Sequence, residues 1–336
     1  MRTLLISDLH LGTRMRRDVL RRDVALDRLC DALGSVDRLV LLGDTVEMLE
    51  GRPRQAMEAA EPVLRRIGNT LGRGKDVLLL AGNHDHELVR PWLETRREGG
   101  RPVGLSTRVP LNSNPDLQAI SRWMKPARVE VRYPGVDLGD GVWAHHGHYL
   151  DRHLIRRAEV GTDATAEEYE DALGTSIAAL GAGVGASLPK MVSDQLDRAD
   201  GFLRRAAQAA TITRPIVASL PGAGLLAPAN SAALGLQFRR VGLPAMSTVA
   251  SALGVDATDV VFGHLHRAGP LDGDDRDEWR PGEPRLWNTG CWVYEPLLVG
   301  GASPPRLYWP GRAIVVDGSE ITSIGLLDDL DPNELR

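Results

Sequence analysis

Short runs of apolar residues recur along the chain, and each breaks off into polar residues of a restricted kind. Leu4-Leu5-Ile6-Ser7 runs into Asp8-Leu9-His10, and Leu39-Val40-Leu41-Leu42-Gly43 runs into Asp44. Leu78-Leu79-Leu80-Ala81-Gly82 runs into Asn83-His84-Asp85, and Gly141-Val142-Trp143-Ala144 into His145-His146-Gly147-His148. Val260-Val261-Phe262-Gly263 runs into His264-Leu265-His266. Apolar runs of this length, bounded by glycine, predict buried strands. In open α/β sheets ligands collect beyond the carboxyl ends of the strands. The pattern therefore predicts strands that deliver Asp, Asn and His side chains to one place. In extended backbone, residues i and i+2 share a face. Asp8 with His10, and His264 with His266, are thus expected to reach one ion together, while His145 faces away from His146.

Between these runs the period lengthens. Residues 13 to 33 carry a helical stripe of Val19, Leu20, Val24, Leu26 and Leu29. Arg14, Arg16, Arg17, Arg21 and Arg22 crowd its start. Guanidinium forks grip phosphate, which makes Arg14 a candidate substrate contact. The plainer reading is a solvated face paired with Asp18 and Asp23. Residues 53 to 71 predict a second helix containing Pro62, and residues 91 to 127 an irregular excursion. Near the C-terminus, 285–292 reads as strand then turn, and 313–321 as a hairpin around Asp317-Gly318. The acidic last residues are expected to fray.

From 151 to 254 the composition shifts to Ala, Leu and Gly, with helices expected near 164–182, 187–210 and 229–253. The expected organisation is a catalytic unit of 1–150 and 255–336, with 151–254 inserted as an all-helical cap. Three pieces of the cap carry no charge: Ala172–Pro189, Pro215–Phe238 and Val241–Val255. Pro221, Pro228, Asn230 and several glycines argue against a membrane span. Three uses remain open: packing among the cap's own helices, a lipid-binding wall or peripheral membrane contact, and homodimerisation.

Bulk properties narrow the class. The 336 residues are 43% hydrophobic and 25% charged, as in water-soluble globular proteins. A net charge of -5 gives no sign of general nucleic-acid affinity. Cys30 and Cys291 are the only cysteines, which excludes a disulfide framework and leaves one pairing to test. Asp8 and His10 interrupt the first apolar run too early for a secretion signal, so a cytoplasmic protein is expected. The histidines are the most informative feature. Of nine, seven lie in the strand-end motifs, His86 and His153 follow closely, and none falls between Leu154 and Gly263. Such clustering points to a metal centre. Hard oxygens with imidazoles, and no thiols, suit Mn, Fe or Zn, with Mn favoured. About seven ligands exceed what one ion with an open position can use. Two ions sharing Asp44 is the economical arrangement, and it suits phosphoester hydrolysis by a hydroxide held between them.

In combination and order, Asp8-x-His10, Gly43-Asp44, Gly82-Asn83-His84-Asp85, His146-Gly147-His148 and Gly263-His264-x-His266 resemble the five blocks of the calcineurin-like metallophosphoesterases. The resemblance covers about 1–150 and 255–300. It implies an α/β/β/α four-layer sandwich of two mixed sheets. It implies one ion on Asp8, His10, Asp44 and His266, and a second on Asp44, Asn83, His146 and His264. It casts His84 as general acid or phosphoryl clamp. Asn83 and His148 are candidate substrate contacts. Asn288-Thr289-Gly290-Cys291-Trp292 resembles an architectural turn of the family.

Many relatives have Gly-Asp-x-x-Asp, in which the last Asp orients the motif histidine; here that position is Glu47. Glu47, the opening Asp-Leu-His-Leu and the helical cap resemble the UDP-2,3-diacylglucosamine pyrophosphohydrolases. Two positions depart from that subgroup: His84 stands where it has Arg, and His148 where it has Asp. The expected activity is hydrolysis of a phosphate ester or pyrophosphate, with a small or lipid-linked substrate, in the cytoplasm or at the inner face of a membrane. The alternatives are a nuclease or cyclic nucleotide phosphodiesterase of the same fold, and a metal-binding scaffold without turnover.

Overall fold

The computed structural model describes residues 1–13, 16–155, 164–170, 231, 234–299 and 307–336. Among the described residues ten strands form one sheet, nine on a single hydrogen-bonded path and one beside it, with helices packed on it. The strands are β1 (Arg2–Ile6), β2 (Arg38–Leu42), β3 (Asp76–Leu80), β4 (Ser106–Val109), β5 (Arg128–Gly139), β6 (Val142–His145), β7 (Asp259–Phe262), β8 (Arg285–Asn288), β9 (Arg312–Asp317) and β10 (Glu320–Gly325). The order is β10-β9-β1-β2-β3-β5-β6-β7-β8, with β4 also on β5. β1, β2, β3 and β5 are parallel in sequence along the sheet, and so are β6, β7 and β8. β9 and β10 add antiparallel strands at one edge.

β5 joins the two halves. Its first residues pair with β3 and β4, and its last pair antiparallel with β6 across a bulge between Asp137 and Gly139. The sequence Arg128-Val129-Glu130-Val131-Arg132-Tyr133 alternates, with Val129, Val131 and Tyr133 buried. This strand is absent from the sequence-based expectation. Nor is the stretch before it irregular: it holds α3 (Arg90–Glu98), β4 and α4 (Pro115–Trp123). Asn114 caps α4 by accepting the Asp116 N–H at 2.8 Å, and Pro115 occupies the first turn.

The apolar runs are continuous because their strands are covered on both faces. On one face of β1–β3, Leu4, Ile6, Leu39, Leu41, Val77 and Leu79 pack with α1 (Asp23–Leu33), α2 (Pro53–Leu71) and α4. On the other, Leu5, Val40, Leu42, Leu78 and Leu80 share a cluster with Val142, Ala144 and Val261 from the second half. Trp143, Val260 and Phe262 pack outward on α6 (Leu243–Ala252). α2 runs unbroken through the exposed Pro62. The predicted helix from residue 13 starts only at Asp23, after a single 3-10 turn at Val19–Arg21.

Most of the expected cap, including the helix at 164–182 beyond residue 170 and all of that at 187–210, lies outside the described residues. Among the described residues no helix is long and apolar enough to cross a membrane. Cys30 and Cys291 are both buried, and no disulfide joins them.

The C-terminus does not fray. Trp309 donates its indole N–H to the Leu327 carbonyl at 2.9 Å, and Leu327, Leu330 and Leu335 are buried in the α1/α2 core. The apolar residues within the acidic tail dominate its placement. Leu327→Ala is expected to destabilise the protein by about 2–5 kcal/mol in urea unfolding, as for other buried leucines. A change below 1 kcal/mol would mean the tail is not docked.

Candidate metal centre

The carboxyl ends of β1, β2, β3, β6 and β7 converge, and the chain crosses between them through backbone hydrogen bonds. Asp8 N–H donates to Gly43 O (3.1 Å), His10 N–H to Asp44 O (2.9 Å) and Gly263 N–H to His146 O (2.8 Å). Asp8, His10, Asp44, His264 and His266 all have φ between 43° and 69°. Asp and His tolerate this left-handed region better than most residues. Asp8 and His10 therefore reach one site through a tight turn, and so do His264 and His266. The extended segment expected from their i, i+2 spacing is not what aligns them. Two glycines make the approach possible. A Cβ on Gly43, itself at φ +92°, would lie 2.5 Å from His146 Nδ1. One on Gly263 would lie 2.2 Å from Ser7 Oγ and 2.6 Å from Asp8 Oδ2.

Three overlapping triads result: Asp8/His10/His266, His10/Asp44/His84 and Asp44/His146/His264. Within each, the ligating atoms lie within 4.8 Å of one another. Asp44 Oδ2 stands 3.2 Å from His146 Nε2 and 3.7 Å from His10 Nε2. Asn83 Oδ1 is 3.3 Å from the same His146 nitrogen. His266 Nε2 lies 3.3 Å from Asp8 Oδ1 and 3.2 Å from His10 Nε2. Asp8, His10, Asp44, Asn83, His146, His264 and His266 are thus brought together.

The outer atoms of these ligands show what the inner ones lack. His10 pairs through Nδ1 with Glu47 Oε2 at 2.8 Å, and His146 through Nδ1 with the Leu42 carbonyl at 2.9 Å. Each ring therefore carries a proton on Nδ1 and, when neutral, a lone pair on Nε2 directed at other lone pairs. Only a cation or a second proton resolves that. In the metal-free chain burial opposes the charge, but Asp44 overrides it and pushes the His146 imidazolium up to about 10. Asp8 Oδ2 accepts from Ser7 Oγ–H and from the His264 N–H (2.9 Å), whereas the buried Asp8 Oδ1 has no hydrogen-bond donor. An orphaned carboxylate oxygen beside two imidazole nitrogens fits a divalent metal ion.

Three further groups hold this arrangement. Asp85 accepts backbone N–H groups from Gly82 (2.7 Å), Asp44 (3.2 Å), Thr45 (2.7 Å) and Val46 (3.3 Å), tying the ends of β2 and β3 together. Burial, followed by the Asp44 charge, raises its carboxyl to about 6. Glu47 accepts from His84 Nδ1–H (2.8 Å) as well as from His10, so one carboxylate orients both rings. The Asn288–Trp292 turn links β7 to β1. Asn288 Nδ2 donates to Gly263 O (2.8 Å), Thr289 Oγ1 meets Ser7 Oγ (2.6 Å), and Trp292 N–H donates to Asp8 O (3.0 Å).

The side chains of His84 and His266 are 26% and 27% exposed, while those of Asp8 and His146 are sealed. The centre therefore opens to solvent past His84. His148 is different. It is fully buried, beside Tyr133 Oη (3.3 Å) and the rings of His145 and Tyr149. His145 packs on Trp143, away from the ligands. Arg14 is outside the described residues. Sequence reading missed Asp151, whose Oδ1 meets His264 Nε2 at 2.9 Å. It also missed Glu170, which accepts from Tyr133 and Tyr149 and pairs with His86 at 2.8 Å. Neither residue belongs to a motif, and neither has a local signal.

Fold and site together define a metal-dependent phosphoric ester hydrolase. The chain belongs to the calcineurin-like phosphoesterase family, whose model matches residues 1–171. No curated protein matches it. His264 and His266 lie beyond the matched range and join the site through geometry alone.

The lone-pair argument gives a pH prediction. In chelator-treated protein His84, like His146, is charged above its ordinary range: burial opposes the charge, but Asp44 and Glu47 raise His84 to about 9. The stabilisation is present below about pH 6.5, the ordinary imidazole value, and is lost as pH rises through about 9 and 10. Metal-free protein should lose stability between pH 6.5 and 10 in urea titrations. Loaded protein should lose less, since an ion would replace the proton on His146 while His84 keeps its own. Parallel pH profiles would refute this account.

Proposed function

We propose that the chain hydrolyses a phosphate ester or pyrophosphate at two divalent ions. One is held by Asp8, His10, Asp44 and His266, the other by Asp44, Asn83, His146 and His264. The observation that carries this reading is the place of Asp44, whose Oδ2 faces His10 on one side and His146 on the other. A carboxylate with free lone pairs in that position suits a bridge between ions. When bound, the ions supply the attacking oxygen and neutralise phosphoryl charge.

The chain's own residues do the rest. Glu47 fixes the His84 ring by its Nδ1, leaving Nε2 for the substrate side. The partly exposed His84 carries the proton that the departing oxygen takes up. Asn83 reaches the same space and can touch the phosphoryl group. The apolar cluster between the sheet halves supports a four-layer α/β/β/α sandwich. The uncharged stretches within 151–254 support a helical cap that meets an apolar or lipid-linked substrate. Mn is the first ion to test, among Mn, Fe and Zn.

His84→Ala should lower kcat by about 10²–10⁴-fold, the usual contribution of a positioned acid. Asp44→Asn should abolish metal-dependent turnover of bis-p-nitrophenyl phosphate with the circular dichroism spectrum unchanged. Undiminished turnover in Asp44→Asn would sink the assignment. A panel with Mn, spanning nucleotide diphospho-lipids, cyclic nucleotides and a phosphomonoester, ranks the substrates. Preference for small soluble esters would remove the lipid reading.

A further inference from the structure

Each imidazole near the proposed bridge is steered by what its outer nitrogen meets. For His10 and His84 that partner is Glu47, and for His146 it is the Leu42 carbonyl, all from β2 or the turn after it. His264 differs. Its Nε2 lies 2.9 Å from Asp151 Oδ1. Asp151 is the first residue of α5 (Asp151–Ile155), where the chain leaves β6 and the histidine-rich turn. The two residues are 113 positions apart in sequence.

We infer that Asp151 is a positioning residue for the second ion: it holds the Nε2 proton of His264 and so presents Nδ1 to Asp44 and His146. The inference rests on the two-metal reading above. The imidazole has two tautomers, and the group bonded to one nitrogen decides which nitrogen keeps the lone pair. A carboxylate on Nε2–H leaves Nδ1 as the donor atom and raises its basicity. The backbone of His264 is pinned as well, at φ 69° with its N–H on Asp8 Oδ2 at 2.9 Å. With the backbone fixed and Nε2 held, one rotation of the ring remains. The Asp151 side chain is 35% exposed, so replacing it opens no core cavity.

The arrangement also gives the ions unequal footing. Asp8, His10 and His266 belong to the strand-end turns themselves. His264 depends on a group from the segment that leads toward residues 151–254. Removing Asp151 should therefore weaken one ion and spare the other.

The test is Mn²⁺ titration of the chelator-treated full chain, read by electron paramagnetic resonance of free Mn²⁺. Wild type should bind two ions. Asp151→Ala should keep one at wild-type affinity and bind the other about 10–100-fold more weakly, the usual effect of removing a ligand's outer partner. Asp151→Asn should fall between, because its amide oxygen still accepts the Nε2 proton but carries no charge. Excess Mn²⁺ should restore kcat in both variants, which it would not do if Asp151 contacted substrate. Two ions bound by Asp151→Ala as tightly as by wild type would overturn the inference. If Asp151→Ala does not fold, unchanged affinity in Asp151→Asn together with kcat that excess Mn²⁺ fails to restore overturns it instead. A single ion in wild type would overturn the two-metal reading, and this inference with it.

Discussion

Asp44 is a carboxylate with almost no access to water, surrounded by imidazoles it cannot satisfy by hydrogen bonding alone. Burying an unpaired carboxylate is costly, and the cost falls only if opposite charge arrives. Much of the architecture follows from that requirement. Protons on His84 and His146 meet it in the metal-free chain, and divalent ions meet it when present. Asp44 is kept in place by its neighbours. Asp85 grips its N–H and those of the next two residues, and Asp44 Oδ1 accepts the His84 N–H at 2.8 Å. The turns after β2 and β3 thus form one unit whose backbone is fixed before any ion binds. This is the preorganisation that charge-stabilising sites depend on.

Legibility in the sequence followed locality. The strand-end blocks were readable because each packs a buried strand, a turn glycine and a ligand into a few consecutive residues, as in Gly82-Asn83-His84. Nine histidines in a chain with few other aromatics made their clustering visible. The reason for the Asp8-x-His10 spacing was not readable. Period-two spacing implied extended backbone, while the chain uses left-handed turns that Asp and His permit. β5 was overlooked although its alternation is plain, because the Arg- and Pro-rich stretch before it drew the boundary of an irregular region.

Partners across long sequence separations left no trace. Asp151 and Glu170 sit among ordinary polar residues, and only folding sets them against His264 and His86. His148 follows His146 by two residues in sequence, and folding buries it among Tyr133, His145 and Tyr149. In the acidic tail, composition argued for fraying, while three well-spaced leucines decided for docking.

Among the described residues β5 is the strand shared by both sheet halves, and the residues of the candidate metal centre are divided between them: Asp8, His10, Asp44 and Asn83 on one side, His146, His264 and His266 on the other. His10 and His266, 256 positions apart, must meet before the first triad exists. Of the three triads only His10/Asp44/His84 lies within the first half; the other two close only when His146, His264 and His266 are in place. Non-local closure of this kind slows folding.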